Sequence, residues 1–439
     1  MKLLEITDDA LLLISEAVEP EDFGAFLASS KRLHAIAQHR LPQHRQLKRQ
    51  YRCYTIDKEN HPANLLHDIW KDGRVADYVQ ILYYTYNNQF DVPDMMLFPN
   101  FAHVSKKVKS KLVDCKSDLV ASFRAIVNDT KLFENEDFEM GDETRAFALL
   151  LILLSNLTTL RMARPRWDSK ELRTVICNIR DFTQNLQRSS RAEYIKAPLR
   201  NLATVEMRMD GTGDHNWSLP FIMFSGQPSV KKLIGRKIDF APWHAVLEED
   251  FKTSGIGHLE IEGVIHSDAH DTHVFQDWLG HLEGLKTMKI RHWYRSASYT
   301  DQWRPMEICQ IFEDFQFHAN IESLSLTASH AAADGINNLR WLTGLKELDI
   351  DADALFHSLR VEQFKGKRIQ LVPMAYGSDD KRTRTMIPSL TDVLPRNIER
   401  LRIRNVGMKG AARDLFGELG SHHMRKLPRL KSITIGGPA

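Results

Sequence analysis

The chain has 439 residues, of which 43% are hydrophobic and 26% charged, with a net charge of +2. This composition can bury a large core and excludes a chain that is disordered throughout. The near-neutral balance also lacks the strong basic excess of a general nucleic-acid binder. At about 150 residues per domain, the length fits two or three domains or one elongated array.

The four cysteines, Cys53, Cys115, Cys177 and Cys309, contain no CxxC pair. Neither a thiolate zinc site nor a disulfide framework is expected, which fits a reducing compartment. Residues 1–20 mix apolar side chains with Glu5, Asp8, Asp9, Glu16 and Glu19, unlike a secretory signal. The longest apolar run, Ala146 to Leu154, has nine residues, and a bilayer-spanning helix needs roughly 20. That run is expected in a buried helix. A soluble intracellular protein, cytoplasmic or nuclear, with no membrane partner is expected.

Residues 1–52 predict short amphipathic helices. Thr7 or Asp8 can cap the first, and Asp8 and Asp9 place negative charge at its N-terminus. Ala10, Leu11, Ile14 and Val18 follow at near-helical spacing. Glu19-Pro20-Glu21-Asp22 is a second start signal. Phe23, Phe26, Leu27 and Ser30 then fall on one face, and Leu33, Ile36 and Ala37 continue the stripe. After Pro42, Leu47, Tyr51 and Tyr54 are expected to form a further helical stripe. A unit this small buries too little surface to be robust alone. Its apolar residues need the rest of the chain or a partner to cover them.

These residues resemble an F-box. Ile6-Thr7 stands where the family has Leu-Pro, and Leu11 and Ile14 match its first helix. Asp22-Phe23 matches its Asp-Leu, and Ser29-Ser30-Lys31-Arg32-Leu33 matches its Val-Ser-Lys-Arg-Leu. The resemblance implies docking on the Skp-type adaptor of a cullin ubiquitin ligase. Ile6, Leu11, Ile14, Phe23, Leu27, Ser30 and Leu33 are the candidate adaptor-binding residues, some of which must instead pack the internal core. The basic run from Arg40 to Arg52 is read as a solvated helix face.

Beyond residue 52 the pattern apolar-x-x-apolar-x-apolar recurs, as in the core of a leucine-rich repeat. It occurs at Val79-Leu82-Tyr84, Leu157-Leu160-Met162 and Leu202-Val205-Met207. It returns at Ile256-Leu259-Ile261, Leu285-Met288-Ile290 and Ile321-Leu324-Leu326. The last three are Leu345-Leu348-Ile350, Ile398-Leu401-Ile403 and Leu430-Ile433-Ile435, with weaker cases at Val230-Leu233 and Ile369-Leu371. Alternate strand residues face one way, so the last two apolar positions enter one core. One layer cannot bury that face, and stacked layers bury each other. The Ile369-Leu371 case is expected to supply a layer between those at Leu348 and Leu401. Helices are expected over Lys111 to Val127, Glu143 to Leu154, Leu172 to Leu186 and Met306 to Phe317. The asparagine usual after such strands is mostly missing, so irregular turns are expected.

The expected fold is therefore α/β: an F-box-like helical domain, 1–52, followed by an irregular leucine-rich-repeat-like solenoid, 53–439, with a parallel sheet and outer helices. The whole resembles divergent fungal-type F-box proteins with leucine-rich-repeat-like C-terminal regions. That resemblance implies a non-catalytic substrate adaptor holding an unknown protein substrate; the alternative is a repeat scaffold that joins no ligase.

No GxSxG elbow, phosphate loop, GxGxxG fingerprint or HExxH motif occurs. No enzyme activity, cofactor or metal is expected. His266, Asp268, His270, Asp271 and His273 carry suitable donors but match no standard metal spacing, and read as a polar loop after a strand ending near Ile261. Trp293, Tyr294 and Arg295 follow the strand at Leu285 to Ile290 and are the candidate substrate-binding residues, since Trp, Tyr and Arg are enriched in binding hot spots.

Overall fold

A computed structural model describes residues 6–18, 20–57, 59–85, 143–163, 176–177, 179–180, 198–208, 223–240, 254–267, 278–293, 304–305, 320–329, 339–352, 359–362, 370–373, 390–404 and 426–436. The chain is mixed α/β and divides into two compact units, Met1–Val205 and Glu206–Ala439. The expected division at residue 52 falls between a helix and a strand of the first unit.

The first unit opens with α1 (Asp8–Ala17), α2 (Phe23–Ala28), α3 (Lys31–Ala37), a 3-10 turn (Gln38–Arg40) and α4 (Leu41–Tyr51). Thr7 caps α1 by accepting from the Ala10 amide, and Ser30 caps α3 by accepting from the Arg32 amide. Phe23, Leu27 and Ala37 form a small core that Val18, Phe26 and Leu41 border. Then come β1 (Cys53–Ile56), α5 (Pro62–Lys71), α6 (Val75–Tyr78), β2 (Ile81–Thr85), α7 (Glu143–Leu153), β3 (Thr159–Ala163) and β4 (Thr204–Arg208). β4 runs across the division. β1, β2 and β3 pair in parallel, β2 in the middle.

Tyr54 lies on β1 and does not continue the α4 stripe, which corrects the helical expectation. Its stretch pairs with Ile81–Tyr84, and that ladder prevails over the helical period. The run from Ala146 is the buried helix α7: Phe147, Ala148, Leu150 and Leu151 are fully buried, and Phe147 stacks on Tyr84.

The second unit contains β5 (Lys232–Phe240), β6 (His258–Ser267), β7 (Thr287–Trp293), β8 (Arg304–Pro305), β9 (Ser323–Ser329) and β10 (Glu347–Asp351). After these come β11 (Leu359–Glu362), β12 (Gln370–Pro373), α8 (Leu390–Val393), β13 (Arg400–Arg404) and β14 (Ser432–Ile435). The sheet order is β5-β6-β7-β9-β10-β13-β14, with every pairing parallel. Two strands depart from the expectation. β6 continues to Ser267, where β8 pairs with it antiparallel, so His266 sits on a strand and not in a loop. Leu371 lies on β12, which pairs antiparallel with β11; it supplies no layer, and β10 lies directly beside β13.

Each layer is keyed to the next by one carbonyl. In the second unit the carbonyls of Lys231, Gly257, Lys286, Glu322, Lys346 and Glu399 each accept from two consecutive amides of the following layer, at 2.7–3.2 Å. In the first unit Arg52, Gln80 and Thr158 do the same at 2.8–3.1 Å. Call this residue the lead position. The apolar trio falls one residue before it and two and four after it. In eight of the nine full trios every member is at most 3% exposed. The exception is β14, where Ile433 is 39% and Ile435 45% exposed.

An asparagine two residues before the lead position ties neighbouring layers. Its side-chain amide donates to the carbonyl three residues before the preceding lead position. Asn156 donates to Asp77 (3.1 Å), Asn201 to Ser155 (3.4 Å), Asn320 to Glu283 (3.5 Å) and Asn397 to Thr343 (2.6 Å). In these four layers an asparagine ahead of the strand satisfies turn carbonyls.

Candidate binding face

Alternation puts the first, third and fifth residues after each lead position on the face opposite the apolar trio. In the second unit these positions are almost all polar. β6 carries His258, Glu260 and Glu262; β7 carries Thr287, Lys289 and Arg291; β9 carries Ser323, Ser325 and Thr327. β10 carries Glu347, Asp349 and Asp351, and β13 carries Arg400, Arg402 and Arg404. The strands therefore read acidic, basic, hydroxyl, acidic, basic.

Register places acid beside base. Glu347, Asp349 and Asp351 stand opposite Arg400, Arg402 and Arg404. Arg404 is the most enclosed of the cations: its Nε lies 3.0 Å from Asp349 and 3.4 Å from the buried Asp351. The same guanidinium crosses β10 and donates to the Thr327 hydroxyl at 2.6 Å. Arg400 pairs with Glu347. At the other side Arg236 donates to Glu206 at 2.8 Å and lies 3.4 Å from Glu262 and 3.5 Å from Glu260. The Glu206 hydrogen bond, with Glu260 and Glu262 nearby, raises the pKa of Arg236 further.

His258 is pulled below its ordinary pKa by burial, and next by Lys232 and Lys289. Its imidazole is therefore neutral near pH 7. A polar trough of about 540 Å³ opens on this face, lined among others by Lys289, Arg291, Ser325, Asp349 and Arg402.

The N-terminal candidates divide into two groups. Leu11, Phe23, Leu27 and Leu33 are buried inside the first unit, at 0%, 5%, 4% and 1% exposure. Ile6, Ile14 and Ser30 are half-buried. Arg32, within the Ser30 segment, ties α3 to the start of α1 by donating to the Ile6 carbonyl and the Asp8 carboxylate, both at 2.9 Å. Among the described residues the largest apolar exposure belongs to Leu13, at 65%, which is not among the sequence candidates. The signal was present: Leu13 is the member of Leu11-Leu12-Leu13 that points away from the Leu11 side of a 3.6-residue helix.

Tyr294 and Arg295 lie outside the described residues, as do Asp268, His270, Asp271 and His273. Trp293 ends β7, with only its backbone described. Trp278 is fully buried and donates through its indole to Ser225 at 2.8 Å, so this ring packs the interior. Among the described residues no group of three or more His, Cys, Asp or Glu could hold a metal ion. Among them, too, no helix is long and apolar enough to cross a membrane. The chain matches no family model and no curated protein.

Proposed function

We propose that the chain is a non-catalytic adaptor: the N-terminal helices dock on the Skp-type adaptor of a cullin ubiquitin ligase, and the stacked strands hold a protein substrate. Leu13 carries this reading. A leucine left 65% exposed on α1, next in sequence to half-buried Ile14, is what a partner would cover. The repeated layers support the second half, since an array of short strands presents a broad, even face for macromolecular contact. The mechanism is tethering: a substrate held beside the ligase meets the transfer site at a raised effective concentration. No bond-making step is assigned to this chain.

The test is capture of purified Skp-type adaptor by the intact protein. Wild type is expected to retain it. Leu13→Asp is expected to lose it with an unchanged thermal melt, because Leu13 contributes little to the fold. Leu11→Asp is expected to lower the melt itself, since it puts a charge in a fully buried position. A wild type that fails to capture the adaptor would remove the ligase reading and leave the repeat scaffold.

A further inference from the structure

The trough of the second unit is balanced in charge yet uneven in height. Side-chain exposure is 55% for Arg291, 66% for Arg400 and 59% for Arg402. It is 23% for Glu260, 14% for Glu262, 32% for Asp349 and 1% for Asp351. Glu347, at 40%, is the most open of these carboxylates and is taken by Arg400. The carboxylates other than Glu347 sit low, and Arg291, Arg400 and Arg402 stand above them, while Arg404, at 23%, lies among the carboxylates.

Among the described residues Arg291 and Arg402 are also poorly neutralised. Arg291 has, among the described residues, a single carboxylate, Glu262, at 3.6 Å, which Arg236 shares. Arg402 has Asp349 at 3.9 Å, and Arg404 holds that same carboxylate at 3.0 Å. Among the described residues Lys289 makes no ion pair, and Glu260 beside it lies 3.5 Å from Arg236. Between the two basic walls, Ser323 and Ser325 leave the floor low.

We infer that this trough is a docking site for an acidic, extended segment of a polypeptide partner, its carboxylates received by Lys289, Arg291 and Arg402 over the serine floor of β9. This rests on the adaptor reading and specifies its substrate. Lys289 and Arg291 are two residues apart on one strand, about 6.7 Å, which is also the spacing of alternate residues in an extended peptide. The carboxylates of β10 lie between the two basic walls. They repel a uniform polyanion such as a nucleic-acid backbone, whereas a polypeptide can place a neutral or basic residue against them.

The experiment uses the purified full-length chain without adaptor, and a fluorescein-labelled peptide alternating glutamate and glycine, read by anisotropy at low salt. Saturable binding that weakens as salt rises is expected. Lys289→Glu combined with Arg402→Glu is expected to weaken it about tenfold or more. Should that variant melt lower than wild type, Lys289→Gln with Arg402→Gln provides the same reading with gentler chemistry. A lysine–glycine peptide is expected not to bind. Absence of glutamate-peptide binding, unchanged affinity in the variant that keeps its melt, or equal binding of a single-stranded oligothymidylate would each overturn the inference. Because the adaptor is not in the assay, its capture and this binding can fail separately.

Discussion

Asn156 shows how much one side chain can settle between layers. It is 8% exposed, donates to the Asp77 carbonyl, and accepts from Asn201 at 3.1 Å. Truncating it removes the donor to the Asp77 carbonyl and one of the two acceptors of the Asn201 amide. Asn156→Ala is expected to cost about 1–2 kcal/mol, whereas Asn320→Ala, which gives up a 3.5 Å bond at an exposed position, costs about 0.5 kcal/mol. The midpoints of urea unfolding check the pair. His44 gives a second residue-scale expectation. Its Nδ1 is 2.8 Å from the Tyr78 hydroxyl and its ring 4.7 Å from that of Phe23. Burial first, then Lys48, holds its pKa below the ordinary value, with Glu21 acting the other way. The unfolded chain then binds more protons around pH 6 than the folded one does. The stability that His44 contributes is present above its unfolded pKa and is lost as pH falls through its folded pKa. Melting temperatures at pH 7 and pH 5 should differ less in His44→Gln than in wild type. Neither residue could be singled out in advance. Asn156 reads as a loop residue and His44 as part of a basic helix face, because their partners lie 79 and 34 residues away.

At the scale of elements, the apolar trios were the legible part. Burial of two alternate strand residues and one turn residue leaves a pattern in six consecutive positions, short enough to see without knowing the fold. What pairs with what was less legible. Val361 and Leu371 belong to an antiparallel hairpin, which two apolar residues at alternate positions cannot distinguish from a layer of the parallel sheet. Cys53–Ile56 was missed as a strand because Tyr51 and Tyr54 also satisfy a helical spacing. Turn sterics make a checkable contrast. A Cβ on Gly255 would lie 2.6 Å from the Pro228 carbonyl oxygen and 2.6 Å from Lys231 Nζ, while one on Gly284 would meet its nearest atom at 3.4 Å. The lysine can swing away and the backbone oxygen cannot. Gly255→Ala is expected to destabilise by about 1–3 kcal/mol and Gly284→Ala by about 0.5 kcal/mol or less. Chemical denaturation of the two variants side by side decides it.

Over the second unit as a whole, the lead positions carry their own charge order. Lys286, Glu322, Lys346, Glu399 and Lys431 follow one another through successive layers. Glu322 lies 2.7 Å from Lys346 and 3.5 Å from Lys286, and Glu399 lies 2.6 Å from Lys431. Hydrogen bonding to Lys346 and to Lys431 respectively lowers the pKa of these two carboxylates. Glu322→Lys would set three ammonium groups in a row. Its urea midpoint is expected to fall, and the loss to shrink in molar salt, where exposed charges are screened. The polar face was open to the same reading from sequence, since its residues interleave with the trios. An alternating polar row is also what any solvated strand face shows, whereas large aromatic side chains are enriched at binding sites and point to Trp293, Tyr294 and Arg295.

In the second unit the trios draw on nearly the same interior: leucine or isoleucine, then leucine, methionine or isoleucine, then isoleucine or leucine. Grease of that kind cannot tell one neighbour from the next, and a stack that skipped a floor would bury its apolar residues almost as well. The skipped arrangement would, however, bring Lys286 to Lys346 and Glu322 to Glu399. Sequential order in this protein is thus proofread by its wet edge, and a chain with that edge neutralised should refold with more misassembled material than its native-state stability alone would suggest.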